Sequence, residues 1–208
     1  MQMKKIIILG SLLLCSLVQA EEQSRQVSSF NSIRSKSAFN LLVEVGKEQS
    51  IKINGDEKFL ANVKTEVIGD ELLITMKQSN SIKVNDIAQV VITVPSLVSF
   101  KMEGAGKTTI NNLSGPRFDL AYEGAGLIMA NGKVKNFKVR MQGVGLADMK
   151  DLIAEQVDAS VEGVGSVKVY ASEKLKASVQ GVGSLNYYGN PKSVTKTVGG
   201  IGSVSAGD

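Results

Sequence analysis

Five polar residues recur at nearly equal intervals in the second half of the chain: Glu103, Glu123, Gln142, Glu162 and Gln180, each directly before a glycine. If the chain folds back with the same period, such residues become a ladder with neighbours about 5 Å apart. Two carboxylates at that separation have definite chemistry: one pKa rises, or the pair holds a cation, or the two serve as acid and nucleophile of a glycosidase. Glu103 and Glu123 are the pair that fits, with Lys101, Lys107 and Arg140 as the nearby basic residues. The competing reading is a solvated face in which amides dilute like charges and stack through hydrogen bonds. No aromatic row accompanies the ladder to bind sugar rings; Tyr170, Tyr187 and Tyr188 cluster late and suggest a sticky patch at the far end.

Other chemistry is excluded by what the chain lacks. It has no histidine and no tryptophan, and its single cysteine is Cys15. A histidine-based nucleophile relay and a histidine-ligated metal are therefore absent, and no cofactor or metal site is expected. Glu103-Gly104-Ala105-Gly106-Lys107-Thr108 looks like a phosphate loop, but Lys101 stands where that motif needs its first glycine, and a strand follows where a helix should. Gly199-Gly200-Ile201-Gly202-Ser203-Val204 resembles the start of a calcium-binding nonapeptide, yet serine replaces the required acid and the motif occurs once.

The elements that must position the ladder come from an internal repeat. Gly-x-Gly occurs at 104–106, 124–126, 143–145, 163–165, 181–183 and 200–202, in steps of 20, 19, 20, 18 and 19 residues. The pairs are Gly104 and Gly106, Gly124 and Gly126, Gly143 and Gly145, Gly163 and Gly165, Gly181 and Gly183, Gly200 and Gly202. Before each pair runs an alternating strand. Its apolar positions include Phe118, Leu120 and Tyr122, then Phe137, Val139 and Met141, and later Leu175, Ala177 and Val179. The last repeat breaks the pattern with Lys196. A shorter strand follows each pair, with Thr108, Ile128, Ala147, Val167, Leu185 and Val204 in register. A period near 19 with two short strands per repeat predicts an all-β fold, a parallel β-solenoid of about six coils, in which stacking buries a core that no coil buries alone. Glycine fits the bend because it accepts positive φ and allows close backbone approach. An antiparallel sandwich with regular turns is the alternative architecture.

Three segments follow. Residues 1–20 read as an export signal: Lys4 and Lys5, an apolar run from Ile6 to Val18, then Val18-Gln19-Ala20 with cleavage before Glu21. Cys15 as a lipidated cysteine is disfavoured by the bulky Leu14 before it. Without this segment the chain has 22 Lys and Arg against 20 Asp and Glu, a net +2 too small to imply nucleic acid, and no cysteine and no transmembrane segment remain. Residues 21–97 are expected to form an irregular β cap, with strands near 39–45, 50–54, 71–76 and 90–94 and a short helix capped by Asp56 and reaching Val63. Ser79 to Asn85 is expected as an exposed polar loop. Residues 98–208 carry the repeat.

Taken together these residues resemble the putative auto-transporter adhesin family known as the head GIN domain, over about residues 28–205. The resemblance rests on Ser29-Phe30-Asn31-Ser32-Ile33, Ile53-Asn54-Gly55-Asp56-Glu57, Thr93-Val94-Pro95-Ser96-Leu97, the six Gly-x-Gly bends, and Tyr187-Tyr188-Gly189-Asn190-Pro191-Lys192. The family commonly has serine between the glycines; Ala105, Ala125, Val144, Val164, Val182 and Ile201 depart from that and suggest a drier bend. The resemblance implies an exported protein of the periplasm, outer-membrane surface or extracellular space, and it supplies no catalytic residues. The expected function is a non-enzymatic binding module for a polymer or protein at the envelope, with room for a homo-oligomer and with Glu103, Glu123, Glu162, Tyr187 and Tyr188 as candidate binding residues. The alternative is a carbohydrate-active β-solenoid enzyme, a lyase or hydrolase, that uses Glu103 and Glu123.

Overall fold

The computed structural model describes residues 21–77 and 88–207. The export segment at residues 1–20 and the polar stretch from Ser79 to Asn85 lie outside the described residues. Apart from one short helix the described residues are all-β, and their ten-stranded sheet wraps nearly closed, like a barrel, around one core.

The longest element, β8 (Ser99–Tyr188), is extended over 90 residues. Drawn straight it would reach about 300 Å. Instead it turns back on itself at the period of the repeat. A β-carbon added at Gly124 would strike the carbonyl of Gly104, one at Gly143 that of Gly124, and one at Gly163 that of Gly143. The next strands continue the pattern: β9 (Ser193–Gly200) lies parallel on β8 with Val194 opposite Leu175, and β10 (Ser203–Ala206) lies parallel with Val204 opposite Leu185.

Burial shows how each repeat closes on the core. In the third repeat Phe137, Val139 and Met141 are buried, then Ala147 and Met149, then Leu152 and Ala154, and the next repeat begins with Val157. The buried positions before the glycines (Phe137, Val139, Met141) and after them (Ala147, Met149) share one parity, so the Gly-x-Gly bend keeps the strand's parity. At Met149 to Leu152 and at Ala154 to Val157 it slips by one residue. Such a slip swaps the inward face, and it occurs where the chain turns a corner and must keep facing the core.

The segment before the repeat is more regular than an irregular cap. β2 (Ser32–Ala38) and β3 (Asn40–Val45) pair parallel with β8, Ile33 opposite Phe100 and Val43 opposite Ile110. On their other edges β2 pairs with β6 (Glu71–Met76) and β3 with β7 (Gln89–Val94), again parallel. These apolar alternations bury one face, which is what fixes a register, and strands from before and after residue 97 lie side by side in one parallel arrangement. Only beyond it does the pairing reverse. β4 (Ser50–Gly55) joins β7 antiparallel, β1 (Glu21–Arg25) joins β4, and β5 (Val63–Ile68) joins β6.

The helix, α1 (Glu57–Asn62), forms at the Asp56 cap signal, with the Phe59 backbone N–H donating to the Asp56 carboxylate at 2.7 Å. An N-cap of this kind satisfies one of the orphan amides of the first turn. Phe59 and Leu60 face the core, and Phe59 meets Phe39 edge-on with ring centroids 5.3 Å apart. The helix and the antiparallel strands thus cover this end of the sheet.

Candidate functional site

Because parity survives the Gly-x-Gly bend, the residues at the bend alternate in the same way as the strand. Met141 and Ala147 are inward and buried, Gly143 and Gly145 share their parity, and Gln142, Val144, Leu146 and Asp148 take the opposite, outward parity. Repeated along the stacked strands, this makes three adjoining outward columns: the acid/amide ladder, the residues between the glycines, and the residues after the second glycine.

The ladder begins one strand earlier than the repeat. Lys36 of β2 is the register partner of Glu103, and its ammonium pairs with the Glu103 carboxylate at 3.1 Å while Lys101 pairs with the other oxygen at 3.0 Å. Hydrogen bonding from Lys101, then from Lys36, outweighs burial and holds the Glu103 carboxyl below its usual pKa. A carboxyl sharing a site with a second carboxylate is shifted upward instead. Further along, the Gln142 amide donates to Glu162 at 2.9 Å, an amide–acid contact between neighbouring repeats. Glu123 and Glu162 are exposed. Among the described residues no group of three or more acids or other metal-ligating side chains gathers to hold a metal ion.

The second column corrects the expectation of a drier bend. Val144, Val164 and Val182 are 57%, 52% and 53% exposed, and Ile201 reaches 83%. The aliphatic side chains point to solvent, having the parity opposite to the buried Met141 and Ala147. Leu146 in the third column is 55% exposed, and Leu127, Met129, Leu146 and Ala147 line a small hollow of about 120 Å³ beside it. The result is an apolar ridge along the stack, bordered on one side by the acid/amide ladder. Contiguous exposed apolar surface of this kind marks interaction sites. The alternation carried through the glycines places these residues outside; the composition of the bend by itself does not.

The tyrosines separate for the same reason. Tyr187 takes an inward position and packs partly buried against the core. Tyr188 takes the outward one, with its ring where a side chain on Gly207 would be; Tyr170 stands in the same way against Gly189. Lys107 and Arg140 are exposed. Arg140 lines a polar hollow of about 500 Å³ with Lys138, Lys176, Asp158, Glu162 and Ser160, in which three cations nearly balance two anions. That hollow offers a mixed-charge surface with one cation in excess. No helix among the described residues is long and apolar enough to cross a membrane.

Comparison with known proteins adds the family and the fold. The family described as "Putative auto-transporter adhesin, head GIN domain" matches residues 29–191. Among solved structures, a putative adhesin from Bacteroides fragilis NCTC 9343 is similar, with 24% identity, 91% of this chain and 98% of that chain covered, and a TM-score of 0.71. A putative lipid binding protein from Parabacteroides distasonis ATCC 8503 has 18% identity, with 92% and 98% covered and a TM-score of 0.50. At these identities the likeness is one of fold. Among curated proteins none matches.

Proposed function

The chain belongs to the head GIN domain family of putative auto-transporter adhesins, and from that premise we propose that it is a non-enzymatic binding module exported to the cell envelope. The observation that carries the reading is the apolar ridge of Val144, Val164, Val182 and Ile201 beside the ladder. We read the stacked repeats as coils of a β-solenoid, with β2–β3 and β6–β7 as further turns; a rigid stack of this kind displays equivalent side chains in straight columns.

The ligand we assign to the ridge is a protein surface whose apolar residues are bordered by lysine or arginine. The ladder supplies the reason: Glu123 is an exposed acid along one border, and it repels a polyanionic glycan or an anionic bilayer while matching a basic rim; Glu162, also exposed, shares its hollow with Lys138, Arg140 and Lys176 and weighs less. Glu103 is less available, being held by Lys36 and Lys101. Tyr188, facing outward at the far end of the stack, is a secondary contact. Catalysis is disfavoured by the same geometry, because both carboxylate oxygens of Glu103 are engaged by Lys36 and Lys101 and are not free to attack a substrate or to move a proton.

The test is a binding screen of the purified protein against matrix proteins, neutral and anionic polysaccharides, and vesicles of neutral and anionic lipid, with product release followed in the polysaccharide arms. Saturable binding to proteins with basic surfaces supports the reading. Binding confined to vesicles or glycans reassigns the ridge. Polysaccharide cleavage that disappears in a Glu103→Gln, Glu123→Gln double variant overturns the non-enzymatic function.

A further inference from the structure

The two ends of the sheet differ. One is covered by α1 and the antiparallel strands, with Phe59 buried. At the other, β9 and β10 pair only with β8 among the described residues, so one edge of each strand is open. The core is uncovered there as well: Val194 and Val198 stand opposite the buried Leu175 and Val179, yet are 37% and 47% exposed. An open edge beside uncovered core residues is a template for a second copy of the same chain.

One residue interrupts that template. Phe100, Leu120, Val139, Ala159 and Ala177 form an inward column that is buried throughout, and β9 puts Lys196 in the next position, opposite Ala177. The Lys196 side chain reaches across the open end from β9 to β10, where its ammonium donates to the Val204 carbonyl at 3.0 Å and stands 4.9 Å from the centroid of the Tyr187 ring. A lysine in this arrangement covers apolar surface with its stem and keeps its charge hydrated. An inward charge on an edge strand is also one of the devices by which sheets avoid pairing edge to edge.

We propose that Lys196 keeps this end from pairing with a second copy, and that the end is a latent two-fold interface held open by that single charge. At the opposite end β1 and β5 also have free edges, but α1 covers the core there, so uncovered core is matched by uncovered core only when two like ends meet across a two-fold axis. Such an axis brings both Lys196 ammoniums into the space that closes, where two like charges lose water without gaining an anion. The inference is independent of what the apolar ridge binds.

Sedimentation velocity of the purified protein and of Lys196→Val, at matched concentrations, tests it. The expected result is a discrete dimer of Lys196→Val, with self-association at least about tenfold tighter than that of the parent, while Lys196→Arg behaves as the parent does. Lys196→Gln removes the charge but keeps a polar end, and it dimerises too; it serves if the valine variant does not fold. A folded Val or Gln variant that associates no more tightly than the parent overturns the proposal. Open-ended polymers in place of a dimer overturn it as well, since they need two unlike faces rather than one face paired with itself.

Discussion

Phe118 and Phe137 stand one repeat apart with ring centroids 5.9 Å apart and planes 11° from parallel. Both are buried. The stacked geometry follows from the repeat, which sets equivalent side chains over one another with the same inward direction. Replacing either ring with alanine leaves a cavity whose neighbours, held by strands on both sides, cannot collapse into it. Phe118→Ala and Phe137→Ala are each expected to cost about 3–5 kcal/mol in denaturant unfolding. The double variant should cost less than the sum, because the second truncation removes a contact that the first has already lost.

The bend glycines are needed for two separate reasons. Gly143 and Gly163 have φ of 116° and 119°, where L side chains are strained, and a β-carbon at either would also overlap the carbonyl of the preceding repeat's glycine. Gly46 is the contrast: its φ is 85°, but nothing lies within 4 Å of an added β-carbon. Gly163→Ala should therefore destabilise by at least about 2 kcal/mol more than Gly46→Ala, the strain being common to both and the overlap to one. Equal thermal midpoints for the two variants would remove the close approach from the account.

Tyr122 occupies the inward column filled elsewhere by Met102, Met141, Val161 and Val179, and its hydroxyl is buried with no hydrogen-bond partner. Burial raises its pKa accordingly. An unsatisfied buried hydroxyl costs more than its absence. Tyr122→Phe is expected to stabilise the protein by about 1 kcal/mol, read as a rise in the denaturation midpoint; a loss of stability would show that the phenol has a partner.

Much of this arrangement is legible in the residues. The Phe118, Leu120, Tyr122 pattern and its equivalents identify the inward face, and Asp56 marks the start of α1, because burial parity and helix capping are local properties. Two features are not local. Lys36 meets Glu103 across 67 positions of sequence, through a strand that lies inside the sheet between β6 and β8, and no period announces it. The exposure of Val144 and Val164 depends on whether the glycines preserve or reset the alternation, which a bend can do in either way. The same parity sends Tyr187 inward and Tyr188 outward, so neighbours in sequence do not form one patch.

The Glu103 pair gives a pH dependence with a definite sign. Its folded-state pKa is depressed by Lys101 and Lys36, so its contribution is present above the unfolded value of about 4.3 and is lost as pH falls through the lower folded value. Glu103→Gln should be less stable than the parent at neutral pH by about 1 kcal/mol or less, since the pair is partly exposed. The gap should close on acidification below about pH 4 and narrow in high salt. A gap that stays constant from neutral to acidic pH would separate it from ionisation of Glu103.

The ridge can be tested without disturbing the fold. Val144, Val164 and Val182 are more than half exposed, so their side chains contribute little to the core, and threonine keeps the β-branch that suits a strand while replacing a methyl with a hydroxyl. The triple variant Val144→Thr, Val164→Thr, Val182→Thr should keep its thermal midpoint, as surface substitutions generally change stability by no more than about 0.5 kcal/mol each. Its affinity for a protein ligand found in the screen should fall at least about tenfold, because apolar contact at the centre of a patch carries most of the binding energy. Val179→Thr is the control: it stands inward and buried three positions before Val182, and should lower stability with little direct effect on binding by the molecules that remain folded. If the triple variant binds as the parent does, the ligand does not use the ridge, and the outward face around Lys138 and Arg140 becomes the surface to test.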